Sequence, residues 1–239
     1  MPNSYFQFKK FRIEQGQTAM KVTTEACIFA ALVVKMKLQP RRILDIGAGT
    51  GVLSLMLSQF YECPIDAVEI DRLASEQTAE NFDASPWSYR LTVNNSNVVD
   101  FAKRSKYRYD LIICNPPFFS KHLKSGNQQK DQAVHENSMT QAKLIDVTET
   151  LISKHGFLAV IYPYYEADRF AELAEKCGLN LKEEIMLYDR AGKKPLRKIL
   201  LLNFRNEAEI FHSKFVIKDE GGQYTSQMTA LLTEYYLDF

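Results

Sequence analysis

The sequence predicts an α/β fold, a mostly parallel sheet with helices on both faces, from three observations. Short apolar runs of strand length alternate with segments of helical spacing through the interior. A glycine-rich turn, Asp45-Ile-Gly-Ala-Gly-Thr-Gly51, follows one such run and opens a helical pattern. Another run ends directly in Asn115-Pro-Pro-Phe118. Both turns fall at strand ends, where open α/β sheets take ligands.

The elements follow in order. Residues 3–15 read as a polar-aromatic extension with a short hairpin strand. Ile28, Leu32 and Met36 recur at helical spacing, which predicts a helix over Thr24–Met36. Arg42–Ile46 is a short buried strand, and Gly51–Phe60 a helix with Val52, Leu55 and Leu57 inward. A strand over Ile65–Ile70, a helix over Arg72–Phe82, and strands over Leu91–Asn94 and Tyr109–Cys114 come next. A long polar loop is expected from Ser120 to Asn137. Ser138-Met-Thr-Gln141 fits a capping box opening a helix to about Lys154. Phe157–Tyr162 is a strand closed by Pro163, and Glu166–Cys177 a helix stopped at Gly178. Leu179–Tyr188 and Lys198–Phe204 read as strands around a basic loop. Phe211–Ile217 extends the edge, and a short helix over Ser226–Tyr236 closes the chain. One domain over 1–239 is expected, with 1–38 as its N-terminal extension.

Composition bounds the function classes. The chain has 239 residues, 46% hydrophobic and 25% charged, enough for a substantial core. A net charge of +1 means that any nucleic-acid contact must use a local patch. Cys27, Cys63, Cys114 and Cys177 form neither a C-x-x-C pair nor a zinc spacing, so no metal and no disulfide framework is expected. Reduced thiols fit a cytoplasmic protein. No signal-peptide core and no apolar run of membrane-spanning length is present, and a monomer is expected.

Gly47, Gly49 and Gly51 let the backbone turn tightly against a ligand. Glu69 ends the next strand, where a carboxylate can accept hydrogen bonds from both ribose hydroxyls of an adenosine. Dinucleotide sites use G-x-G-x-x-G and set a pyrophosphate at the helix N-terminus. Here the spacing is G-x-G-x-G, and Asp45 precedes it. That carboxylate would repel pyrophosphate but suits the ammonium of a methionine moiety. Asp100 is a candidate acceptor for an adenine amine, or a helix cap.

In Asn115-Pro116-Pro117-Phe118 two prolines fix the backbone and remove two donors, leaving carbonyls to face a site. The Asn115 side-chain oxygen and the Pro116 carbonyl can accept both hydrogens of an aromatic amine and aim its lone pair at an electrophile. Phe118 offers a face on which the base can stack.

With these residues in this order, the chain resembles the class I methyltransferases of the N6-adenine type. More narrowly, it resembles the bacterial tRNA1(Val) (adenine-37-N6)-methyltransferase family, through Phe6-x-Phe-Lys-x-Phe-x-Ile, Arg190-Ala-Gly-Lys-Lys-Pro-Leu-Arg197 and Glu234-Tyr-Tyr-Leu237. The resemblance implies a Rossmann-like, seven-stranded sheet and S-adenosyl-L-methionine as cofactor. It implies that Lys21 and Thr24, within Gln17–Glu25, close over the cofactor's methionine end, that Ile70 joins Glu69 at its adenosine, and that Asn115 touches both cofactor and base. It also implies the anticodon loop of a tRNA as partner. The resemblance departs at Thr23-Thr-Glu-Ala26, where members of the family usually carry Gly-Thr-Asp-Gly.

Two basic clusters are candidate RNA contacts. Lys103, Arg104, Lys106, Arg108, Lys121, Lys124 and Lys130 surround the tetrapeptide with one acid, Asp110, among them. Arg190, Lys193, Lys194, Arg197 and Lys198 form the second. Other planar amines (adenine in DNA, guanine N2 in rRNA, a glutamine amide) also fit such a site. A binding module with a vestigial site is the non-catalytic alternative, and a nicotinamide-dependent oxidoreductase lacks its glycine spacing.

Overall fold

The structure is a computed structural model that describes residues 3–116, 139–205 and 209–238. It opens with an antiparallel hairpin, β1 (Tyr5–Gln7) and β2 (Arg12–Glu14), pairing Tyr5 with Glu14 and Gln7 with Arg12. Phe8 and Phe11 stack at its tip with ring centroids 4.4 Å apart.

Among the described residues the centre is an eight-stranded sheet. β3 (Ile43–Ile46), β4 (Ile65–Glu69), β5 (Leu91–Asn95), β6 (Tyr109–Cys114) and β7 (Ile152–Pro163) are parallel. β8 (Asn180–Arg190) and β9 (Arg197–Asn203) form an antiparallel pair, and β9 joins β7. β10 (Phe211–Lys218) lies parallel to β8 at the edge. The spatial order is β10-β8-β9-β7-β6-β3-β4-β5, one strand more than the seven expected.

β6 reads as an apolar run from Leu111 to Cys114, and β3 is apolar apart from Asp45, because both faces of the sheet are covered. Ile43, Leu111 and Ile113 face a core shared with helices α1 (Thr24–Lys35), α2 (Val52–Ser58) and α3 (Arg72–Asp83). Leu44, Ile46, Ile112 and Cys114 face the opposite core, under α4 (Val98–Arg104), α5 (Gln141–Leu151) and α6 (Tyr164–Lys176). A last helix, α7 (Ser226–Leu232), returns to the first core.

Chain direction sets the site. From β3 the chain adds β4 and β5 on one side, then returns to place β6 on the other. The C-terminal ends of β3 and β6 therefore diverge at a topological switch, the ligand crevice of open α/β sheets.

Three local expectations need correction. α5 is capped by Thr140, whose hydroxyl accepts the Lys143 N–H, and not through Ser138, which lies outside the described residues. It ends at Leu151 because Ile152 already pairs with Tyr109. The ladder then shifts register, Leu111 facing Phe157, and Asp110 accepts the Ser153 hydroxyl across the irregularity at 2.7 Å. α7 stops at Leu232, short of Tyr236. The loop expected over 120–137 also lies outside the described residues. Among those described, no helix is long and apolar enough to cross a membrane.

Candidate active site

The glycine turn joins β3 to α2 with φ of +74° at Gly47, +58° at Gly49 and +80° at Gly51. The three serve different ends. A Cβ at Gly47 or Gly49 would meet nothing within 4 Å, so those positions lie open. A Cβ at Gly51 would stand 2.7 Å from the Phe82 ring, so Gly51 serves helix packing.

Asp45 lies beneath this turn. Its Oδ2 accepts the Ser54 N–H at 3.2 Å and the Ser54 hydroxyl at 2.7 Å. Gly51, the N-cap of α2, has no side chain to cap with, so Asp45 satisfies a first-turn donor from across the loop. Its Oδ1 is buried without a hydrogen-bond partner among the described residues. Burial pushes the carboxyl up to about 6.

Above the turn lies a cavity of about 350 Å³. Gly47 to Thr50 form its floor, Glu69, Ile70 and Asp71 one wall, Ser96 to Val99 another, and Thr18 to Lys21 with Thr23 a third; Asn115, Met139 and Lys143 also face it. Glu69 is nearly buried. Its Oε2 accepts the Gly49 N–H and its Oε1 the Asp71 N–H, each at 2.9 Å. One lone pair on each oxygen remains for a further donor.

Side chains of α3 hold the turn and the N-terminal segment together. Thr78 donates its hydroxyl to the Gly49 carbonyl at 2.7 Å. The Asn81 amide donates to the Thr50 and Glu14 carbonyls, both at 2.9 Å, and its oxygen accepts the Glu14 N–H. Gln15 then accepts the Val22 N–H, fixing the segment that forms the third wall.

Several expected cofactor residues converge on the cavity: Lys21, Gly47, Gly49, Glu69, Ile70 and Asn115 line it. Others do not. Asp45 faces Ser54 instead of the cavity, because α2 needs its carboxylate as a cap. Asp100 pairs with Lys103 at 3.3 Å on the outer face of α4. Asn97 is the true cap of that helix, accepting the Val99 N–H, so the wall comes from Asn97 and Val99. Thr24 begins α1 and is exposed; Thr23 caps the helix and lines the cavity. Met139 and Lys143 carried no sequence signal for this wall.

Pro116 is buried beside half-buried Asn115; Pro117, Phe118, Lys121 and Lys124 lie outside the described residues. Burial pushes the neighbouring Cys114 thiol well above its ordinary value, which suits a packing group and not a nucleophile.

The second basic cluster divides. Lys193 and Lys194 are exposed on the β8–β9 turn. Arg190 stays half-buried beside Asp189, 3.8 Å away, with its guanidinium close to Gly222. Arg197 pairs with Glu25 at 2.9 Å, and Lys198 is buried between Asp168 at 2.6 Å and Glu184 at 2.9 Å. Those last two cations are committed inside the fold, which corrects the expectation that Arg197 and Lys198 meet phosphate. Among the described residues no group of His, Cys, Asp and Glu could hold a metal.

A glycine turn, an acid ending the next strand and Asn-Pro at the switch point define a methyltransferase of the class I type, and the family model of the methyltransferase small domain matches residues 26–160. A solved structure of a predicted O-methyltransferase, Atu636 from Agrobacterium tumefaciens, shares the fold with a TM-score of 0.66 at 17% identity, over 87% of this chain and 95% of that one. A methyltransferase from Thiobacillus denitrificans, solved with S-adenosyl-L-homocysteine, aligns with a TM-score of 0.50 at 15% identity over 71% and 69% of the two chains. The tRNA1(Val) (adenine(37)-N6)-methyltransferase of Cytophaga hutchinsonii is 40% identical over the full length of both chains. The chain belongs to the tRNA1(Val) (adenine(37)-N6)-methyltransferase family.

Proposed function

We propose that this enzyme transfers the methyl group of S-adenosyl-L-methionine to N6 of adenine 37 in the anticodon loop of tRNA1(Val). The observation that carries the reading is Asn115 on the wall of the cavity that Glu69 and the open glycines bound. The cavity fits the cofactor. Gly47 and Gly49 leave space where any Cβ would stand, and the spare lone pairs of Glu69 suit two ribose hydroxyls. Ile70 and Val99 supply apolar faces for the adenine, and Lys21 and Thr23 stand at the methionine end.

When bound, the cofactor supplies an electrophilic methyl group. The rest is positioning. The Asn115 side-chain oxygen and the Pro116 carbonyl would each accept one N6 hydrogen, which holds the nitrogen lone pair in one direction. Acceptors held in place ahead of the reaction would need no reorganisation as charge develops. The N6 lone pair would form the new N–C bond as the S–CH₃ bond breaks and S-adenosylhomocysteine leaves, and the cationic nitrogen would then release one proton to solvent, so no strong base is needed. Pro117 and Phe118 complete the pocket in this reading, with Phe118 as the face on which the target base stacks. An anticodon-loop base leaves its stack at lower cost than a paired one.

Lys193 and Lys194, with Arg190, Lys121 and Lys124, would meet the RNA backbone. Residues 1–38 act as the segment that closes over the cofactor, within one domain over 1–239. The tRNA substrate and the unpaired thiols support a cytoplasmic location.

The test is transfer of labelled methyl onto tRNA from cells lacking the protein, alongside rRNA, DNA and protein. Label in tRNA1(Val), mapping to adenine 37, is expected. Label confined to rRNA, DNA or protein would overturn the proposal.

A further inference from the structure

The exposed face at the start of α6 is built like a base-stacking surface. Tyr165 is 77% exposed, as Tyr89 is at 78%, but of the two only Tyr165 stands beside the strand ends that carry Asn115. It is nonetheless firmly mounted. The Tyr164 and Tyr165 rings meet edge to face, with centroids 5.3 Å apart at 81°. The Lys198 ammonium lies 4.7 Å from the Tyr164 ring, and that ammonium is locked by Asp168 and Glu184. Gln141 donates to the Glu166 carbonyl at 3.0 Å, tying this turn to α5, whose Lys143 faces the cavity. Arg169, one helical turn beyond Tyr165, shares its exposed side.

Register places this surface at the same strand ends as Asn115. Cys114 pairs with Val160 on the adjacent parallel strand, so Asn115 leaves its strand level with Ile161. Tyr165 follows four residues later, after β7 ends at Pro163. Neighbouring strands lie about 5 Å apart, and the two residues from Ile161 to Pro163 add roughly 7 Å, so α6 opens about one nucleotide step from Asn115.

We propose that Tyr165 is the stacking platform for a nucleotide next to the target adenine, with Arg169 facing the adjoining phosphate. The inference rests on the tRNA reading above. A nucleotide held there keeps the loop open while its neighbour occupies the Asn115 pocket, so Tyr165 is a positioning residue and not a catalytic one. Stacking on an aromatic ring accepts any base, so the platform sets register and not sequence.

The test uses tRNA1(Val) transcripts assembled by ligation, either intact or with an abasic nucleotide on the 5′ or the 3′ side of the target. With the wild type, one abasic substrate raises KM about tenfold. Tyr165→Ala raises KM about tenfold on the intact tRNA and shows no further loss on that abasic substrate. It keeps kcat and S-adenosylhomocysteine affinity, and Tyr165→Phe restores the wild-type KM. Unchanged KM in Tyr165→Ala, or additive losses with the abasic substrates, overturns the platform while leaving the tRNA reading intact. Loss of kcat or cofactor affinity overturns it in favour of a structural role. A wild-type enzyme inactive on every tRNA overturns both.

Discussion

Gly49 donates its backbone N–H to the Glu69 carboxylate at 2.9 Å, linking the cofactor turn to the end of the neighbouring strand. The other oxygen holds the Asp71 N–H. Glu69→Gln must turn an NH₂ group toward one of these two donors, leaving a nearly buried N–H unpaired at a cost of about 1–3 kcal/mol. The expected outcome is a lower Tm and at least tenfold weaker S-adenosylhomocysteine binding by calorimetry. Unaltered affinity would remove Glu69 from the cofactor site.

Two glycine substitutions should separate folding from binding. Gly51→Ala meets the Phe82 ring and a strained φ together and should destabilise the fold by about 2–4 kcal/mol. Gly49→Ala meets only the φ strain, about 1–2 kcal/mol, but its methyl group occupies open space on the cavity floor. Chemical denaturation and ligand titration on both variants check this. Equal loss of binding at equal stability would contradict the division.

Asn115→Ala should retain cofactor affinity and lose about 10²–10³ in kcat, the usual effect of deleting one fixed polar partner. Single-turnover methyl transfer reads this directly. Turnover at the wild-type rate would end the role given to Asn115.

Asp45 gives a pH signature. Its folded value of about 6 lies above the ordinary 3.8, so between those values the folded chain holds a proton that the unfolded chain has released. This group therefore favours folding most at low pH, and that contribution is lost as pH rises through 6. Asp45→Asn removes the dependence while its oxygen can still accept from Ser54. Relative to wild type, the variant should gain stability between pH 4 and pH 7, by roughly 2–3 kcal/mol. Parallel stability curves for the two proteins would show that Asp45 carries no buried charge.

Lys193 and Lys194 stand exposed on the β8–β9 turn. If each meets one phosphate, replacing both with Ala should raise the KM for tRNA and lower the slope of log affinity against log salt by roughly 1–2. Filter binding across a salt series measures it. An unchanged slope places the RNA elsewhere.

The parts of this fold that sequence reveals are those whose signal is local. The β3 and β6 runs, the glycine turn, Glu69 and Asn115 each declare themselves within a few residues, and the parallel topology then brings them to one crevice. What stayed hidden depends on distant partners. Arg197 and Lys198 look like phosphate ligands until Glu25, 172 positions away along the chain, and Asp168 with Glu184 are seen to hold them. Asp100 and Asn97 are both acceptable caps in sequence. Choosing Asn97 turns α4 so that Asp100 faces Lys103 and solvent. Thr23 and Thr24 differ in the same way, since one step along a cap exchanges a wall residue for an outward one.

The single amide of Asn81 grips both the glycine turn, at Thr50, and the N-terminal hairpin, at Glu14. Hydrogen exchange at the Glu14 amide thus becomes a remote gauge of how tightly the turn is seated. A probe there would register ligand arrival without touching the pocket, and loosening Asn81 would disconnect the gauge.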